Sequence, residues 1–324
     1  MLATRFTELI GCTVPIQQAG MGDLAQPRLA AAVSNAGGLG MVSVGGFPPA
    51  MIRQQLDEAR QHTAGPIGAN ILLPFERDDL PAMIEAAASH ARVVDFFWGD
   101  PARSVVDQVH AHGALACWQV GSVDEAVAAE DAGCDFIIAQ GIEAGGHVRA
   151  RIGILAQLGQ VLSRVRIPVL AAGGIGTGRA LAAVLAAGSD GARVGTRLVS
   201  AVEAEAHPVY VDALIHAGPA DSVYTMAFSV GWPDAPHRVL RQSVEAASAF
   251  PDDVVGERLR PATGEWTPQR RFQVGAPHRD RYRGAIEAMA HWAGESVGGV
   301  KALQPAAEII QEMVGEAEAL LRRW

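Results

Sequence analysis

The chain has little cysteine, no basic surplus and no long apolar run. Each shortage excludes a class of protein. Its three cysteines, Cys12, Cys117 and Cys134, show no CxxC spacing, so neither a disulfide framework nor a zinc or other metal site is expected. Cys117 and Cys134 lie in apolar surroundings and read as small core residues. Lys and Arg number 26 against 35 Asp and Glu, a net charge of −9. Nothing there would neutralise a phosphate backbone, so no nucleic-acid partner is expected. No apolar stretch reaches bilayer-spanning length, and the opening MLATRFTELIGC lacks the apolar centre of a signal peptide. The expectation is a cytoplasmic protein with no membrane partner. No GxGxxG opens a leading βαβ unit, so the dinucleotide fingerprint is missing as well.

What is present is a large apolar fraction, 49% hydrophobic against 19% charged residues, which describes a globular chain with a substantial core. At 324 residues it is long for one compact domain and normal for a barrel with an appendage. Eight short runs, apolar on both faces, read as buried parallel strands: Ile16–Gly20, Leu39–Val44, Gly68–Leu72, Val93–Trp98, Leu115–Val120, Phe136–Ala139, Val169–Ala172 and Ala192–Val194. Between and after them lie helix-compatible segments: Pro27–Ala36, Pro48–His62, Asp78–Ala91, Pro101–His112, Asp124–Ala132, Ile154–Ser163, Arg179–Ala187 and Glu203–Ala217. Ser122 is a start signal, and Gly37, Gly113, Gly133 and Gly188 are stops. Eight alternations predict an α/β protein, a (β/α)8 TIM barrel, with an open sheet as the alternative because periodicity does not show closure. After Ala217 the rhythm gives way to proline- and arginine-rich sequence. We therefore expect the barrel over residues 1–217 plus 300–324 and a smaller mixed second domain, a lid, over 218–299. Tyr282–Ala293 and Pro305–Arg323 read as helices, the last packing back on the barrel with a solvated glutamate-rich face.

The stretch Pro168–Arg197, PVLAAGGIGTGRALAAVLAAGSDGARVGTR, organises the reading. It runs strand, glycine turn, helix, glycine turn, strand, glycine turn. Gly173 and Gly174 follow the seventh strand, and Gly195 and Thr196 follow the eighth. Glycines there let backbone N–H groups approach a ligand, and such groups near a helix N-terminus favour an anion. In a barrel this is the usual phosphate site. Ordinary turn glycines are the alternative.

After the sixth strand comes Gln140-Gly141-Ile142-Glu143-Ala144-Gly145-Gly146-His147. Gly145 and Gly146 permit close approach to a flat ligand. His147 projects at the mouth, as general base or as a loop histidine bonded to its neighbours. Glu143 reads as an exposed loop acid or a partner carboxylate. Gly20, Met21 and Gly22 would let main chain lie along a ring, or simply turn. Asn70, an amide inside an apolar strand, and Gln119, at the end of the fifth, need partners. A ligand edge and a neighbouring core group are both open. The combination of one phosphate, one flat ring with polar edges and no dinucleotide motif matches FMN.

The motifs PIQQAGMG, SNAGGLGMVS, GANILLP, QGIEAGGH, PVLAAGGI and GARVGTR resemble those of the nitronate monooxygenases, formerly called 2-nitropropane dioxygenases. QGIEAGGH followed by AAGGI is the specific pairing. The resemblance runs through most of residues 1–205 and touches Trp292-Ala293-Gly294. It implies a barrel with non-covalent FMN and oxidation of nitronates or nitroalkanes by O2, giving a carbonyl compound and nitrite. It further implies FMN contacts from Asn70, Gln140, Gly145, Gly174, Gly195 and Thr196, a ring lined by Gly20, Met21 and Gly22, and His147 as catalytic base. A homodimer is left open. Flavin-dependent enoyl-acyl-carrier-protein reductases and NADH:quinone reductases share EAGGH and AAGGI, so an NAD(P)H-using reductase is the alternative activity. Two departures stand out. Arg193 occupies a place where glutamine is common near the phosphate, either strengthening phosphate binding or pointing elsewhere. Arg149 replaces a frequent glycine, an extra cation that would favour an anionic substrate.

Overall fold

Runs buried on both faces become parallel strands: β1 (Ile16–Gln18), β2 (Gly40–Ser43), β3 (Ile67–Leu72), β4 (Val93–Phe97), β5 (Leu115–Val120), β6 (Phe136–Gln140), β7 (Val169–Ala172) and β8 (Gly191–Val194). In this computed structural model, which describes residues 2–74 and 77–323, they pair in the order β1-β8-β7-β6-β5-β4-β3-β2. Leu39 N–H donates to Ile16 O at 2.9 Å, and Gln18 N–H donates to Leu39 O at 3.0 Å. Those two bonds join the outer strands and close the barrel, so the open-sheet alternative is excluded.

The interior fills from the bottom. Helix Arg5–Ile10, capped by the Thr4 hydroxyl accepting from Thr7 N–H at 3.3 Å, plugs the N-terminal end. Phe6 meets Phe136 edge-on at 5.4 Å. Above it Met41, Val93, Cys117, Ile138 and Leu170 form an apolar layer. A second, polar layer follows at the C-terminal mouth: Ser43, Asn70, Asp95, Gln119, Gln140 and Arg193, all buried. Side chains alternate in and out along a strand, so on β2, β4, β5 and β6 the polar residue stands two positions beyond the apolar one, at the next inward position below the loops.

Most helices match their sequence signals. Ser122 caps Val123–Ala132 and Gly133, at φ 97°, ends it, a left-handed conformation glycine adopts without strain. Two expectations fail. The segment 203–217 is not one helix: a 3₁₀ turn, Val202–Ala204, stops at left-handed Glu205 (φ 53°), and Pro208–His216 starts anew. Nor is Tyr282–Ala293 helical. Tyr282–Gly284 pairs with Gly256–Arg258 as a strand, Gly284 sits at φ 115°, and a 3₁₀ turn covers Ile286–Ala288. Strand pairing there outweighed a helix-like apolar spacing.

The proline-rich region forms two antiparallel sheets. One joins β9 (Ser222–Thr225), β10 (His237–Leu240) and the two-residue strand Gly146–His147. The other joins β11 (Val254–Arg260), β12 (Glu265–Arg270) and β13 (Tyr282–Gly284). Phe228, Val239, Ala247, Val255, Ile286 and Met289 make their own apolar core. Helix Ala306–Leu321 does pack back on the barrel. Its Met313 and Glu316 lie against Gly178 so closely that a Cβ there would come within 2.5 Å of Met313 O. The glutamate face is not simply solvated, since Glu312 pairs with Arg197 at 3.0 Å and Glu316 with Arg179 at 3.1 Å.

Candidate active site

A cavity of about 530 Å³ opens at the C-terminal mouth of the barrel, within the range of small-molecule and cofactor sites. The sequence-nominated residues all border it: Gly20, Met21, Gly22, Asn70, Gln119, Gln140, Gly145, Gly146, His147, Gly173, Gly174, Arg193, Gly195 and Thr196. The far wall comes from the appended region, through Trp232, Arg258, Val274, Gly275, Ala276 and Trp292.

His147 is held from both sides. Gln140 Nε2 donates to His147 O at 3.0 Å and Gln140 Oε1 accepts from Arg149 N–H at 2.9 Å. Opposite, His147 pairs with His237 across the small sheet, and Val148 N–H donates to Pro236 O at 2.8 Å. The imidazole stacks on Trp232, with Trp98, Trp292 and His237 at 5.7, 5.3 and 5.6 Å. His147 Nε2 is buried and has no hydrogen-bond partner. Burial, then the neighbouring His237, pushes the His147 pKa down to about 3, because a charge among indoles loses its hydration. At neutral pH the ring is therefore a free base.

The glycines make a cradle. A Cβ on Gly145 would fall 2.8 Å from Ala293 C, and one on Gly173 3.0 Å from Ala144 N. A Cβ on Gly20 would lie 2.9 Å from Asn70 Cβ. Thr196 Oγ1 accepts from Gly294 N–H at 3.0 Å, tying the loop after β8 to the appended region. Asn70 Nδ2 donates to Asp95 Oδ2 at 2.9 Å.

Of the alternatives weighed for Arg193, pointing elsewhere describes it, while Arg149 and Glu143 take roles not weighed. Arg193 turns into the barrel, donating to Gln119 Oε1 at 2.6 Å and pairing with Asp95. Burial raises the Asp95 carboxyl against the pull of Arg193. Arg149 is neutralised by Glu125 at 2.9 Å and Asp100 at 3.3 Å, so it adds no free cation to the mouth. The Glu143 carboxylate accepts from Ile154 N–H at 3.0 Å, capping a helix N-terminus. Sequence reasoning missed Asp95, Trp98 and Trp232. A lone carboxylate inside the apolar run VVDFF was the available signal for Asp95. Nothing local announced the tryptophans. Among the described residues no group of three or more His, Cys, Asp or Glu side chains is placed to hold a metal ion, and no helix is long and apolar enough to cross a membrane.

Fold and cavity together define a (β/α)8 barrel with a cofactor-sized cavity at the C-terminal ends of its strands. The nitronate monooxygenase family profile matches residues 3–316. A probable nitronate monooxygenase of Staphylococcus aureus (strain Newman) is 31% identical over 268 residues, covering 69% of this chain and 76% of its own. Among solved structures, FabK from Thermotoga maritima superposes with a TM-score of 0.82 at 30% identity, over 100% of this chain and 98% of that one. A nitroalkane oxidase from Streptomyces ansochromogenes does so at 0.77 and 29%, over 98% and 99%. The chain belongs to the nitronate monooxygenase family, a family of flavin-dependent oxidoreductases.

Proposed function

We propose that the chain binds FMN in this cavity and oxidises alkyl nitronates, and nitroalkanes by way of their nitronates, with O2 to a carbonyl compound and nitrite. The observation that carries the reading is His147 Nε2, a buried imidazole nitrogen without a partner at a cavity where Gly20, Gly145 and Gly173 leave no room for a side chain. The residues fit the cofactor. Gly173-Gly174 and Gly195-Thr196 would hold its phosphate through backbone N–H groups. Gly20, Met21, Gly22 and Asn70 would border the ring, and Gly145-Gly146 would let the chain pass beside it. Accepting electrons from the nitronate and passing them to O2 is the chemistry FMN supplies.

The chain's own part is to bind, orient and move one proton. His147 Nε2 takes the α-proton of a neutral nitroalkane, leaving the nitronate beside the ring. Gln140 fixes the backbone that carries His147, and the indoles exclude water from it. A preformed nitronate has no such proton to lose and bypasses His147. His147→Asn should therefore lower kcat/KM on a neutral nitroalkane at least a hundredfold while leaving oxidation of its preformed nitronate within about threefold. Equal losses on both substrates would remove the base role. The alternative is an NAD(P)H-using reductase, a reading the fold shared with FabK also accommodates. Anaerobic addition of NADH, NADPH or a nitronate separates the two: bleaching of the flavin by the nitronate alone supports nitronate oxidation.

A further inference from the structure

Resting on the FMN reading above, we infer that Arg193 sets how readily the bound flavin is reduced, with Asp95 behind it as the opposing charge. Arg193 lines the cavity floor and its side chain is 4% exposed, whereas Asp95 is wholly buried and does not reach the cavity. A ring held in the cavity would lie nearer the cation than the carboxylate, because Arg193 lines the cavity and Asp95 does not. Arg193 spends its two terminal nitrogens on Gln119 and Asp95, but Nε is buried without a partner, and so is Asp95 Oδ1. An orphaned buried N–H costs free energy unless a ligand acceptor meets it. The ring has such acceptors on its polar edge, where negative charge gathers on reduction.

The pair is built in from several strands. Ser43 Oγ donates to Asn70 Oδ1 at 3.3 Å, and Asn70 Nδ2 in turn to Asp95. Strands β2, β3, β4, β5 and β8 thus hold the charges in place, in a region of low dielectric where each counts for more than in water. A cation facing the ring favours the reduced state, and a carboxylate behind the cation weakens that effect. Charge close to the ring is one of the levers a protein has on a flavin. Arg193 and Asp95 are positioning groups in this scheme and react with nothing.

The test is the two-electron reduction potential of the purified holoenzyme, measured by spectroscopic titration against a reference dye. Asp95→Asn should raise the reduction equilibrium constant about tenfold, close to 30 mV for a two-electron couple. Arg193→Gln should lower it by at least as much, and the double variant should fall between wild type and Arg193→Gln. Arg193→Lys keeps the charge and should stay within threefold of wild type, which guards against reading a folding defect as an electrostatic one. Should Arg193→Gln fail to retain FMN, the rise expected in Asp95→Asn against the near-wild-type value expected in Arg193→Lys still decides. Shifts of the same sign in Asp95→Asn and Arg193→Gln, or no shift in either, overturn the inference. A wild-type chain that takes up no FMN overturns the reading beneath it instead.

Discussion

The imidazole of His147 and the indole of Trp232 lie face to face, ring centroids 3.8 Å apart and planes 23° from parallel. Trp232 belongs to the appended region and His147 to a barrel loop, so the contact joins the two parts at the edge of the cavity. One face of the imidazole is covered, water is kept from it, and its pKa falls to about 3. At neutral pH the imidazole therefore carries no charge.

The pH profile should register this directly. The shift is downward, so His147 becomes protonated, and inactive as a base, only as pH falls toward 3. A plot of kcat/KM for a neutral nitroalkane reports the free enzyme. It should show no acid limb near 6.5, the ordinary histidine value, and should stay flat on that side down to about pH 4.

Trp232→Ala uncovers the imidazole and readmits water. The acid limb should then rise by at least one pH unit toward 6.5, visible in the same profile. Removing a buried indole also costs about 3–5 kcal/mol of stability, measured by denaturant unfolding. A lost indole with an unmoved limb would show that Trp232 does not govern the base.

Gln140 spans His147 O and Arg149 N–H with one amide. Gln140→Leu keeps the size and drops both bonds. We expect about 1–3 kcal/mol of destabilisation and a loss of roughly tenfold in kcat/KM on neutral nitroalkanes. Preformed nitronates should be less affected, since they need no base.

Gly145 and Gly294 let two backbones touch. A methyl group on Gly145 falls against Gly294 N and Ala293 C. Gly145→Ala should push the loop off the appended region, costing about 1–3 kcal/mol and weakening FMN retention, followed by flavin release on dilution.

Much of this was legible along the chain. Strand positions followed from apolar runs such as Val169–Ala172, and helix limits from Ser122 and Gly133, because these signals act within a few residues. His147 and Gly173-Gly174 were found from their places after strand ends, which the barrel topology turns into places at one mouth. Residues 282–293 misled, because Tyr282–Gly284 finds a strand partner at Gly256–Arg258. Pairing across a sheet leaves no trace in helical spacing.

Local order of apolar runs, caps and turns determined the eight strand–helix units, the glycine turns after the strands and the histidine in the loop after the sixth, since each depends on neighbours a few positions away. Closure of the barrel came only with the bonds of Leu39 to Ile16 and Gln18. Only the folded chain decided that Arg193 would face Asp95, that Gln140 would brace the His147 loop, and that Trp232 would cover the imidazole. Those partners lie 98, 7 and 85 positions apart in the sequence (193 − 95, 147 − 140, 232 − 147). Even the nearest of them meets through a loop whose path is set by the small sheet, and charge and burial depend on who the neighbours turn out to be.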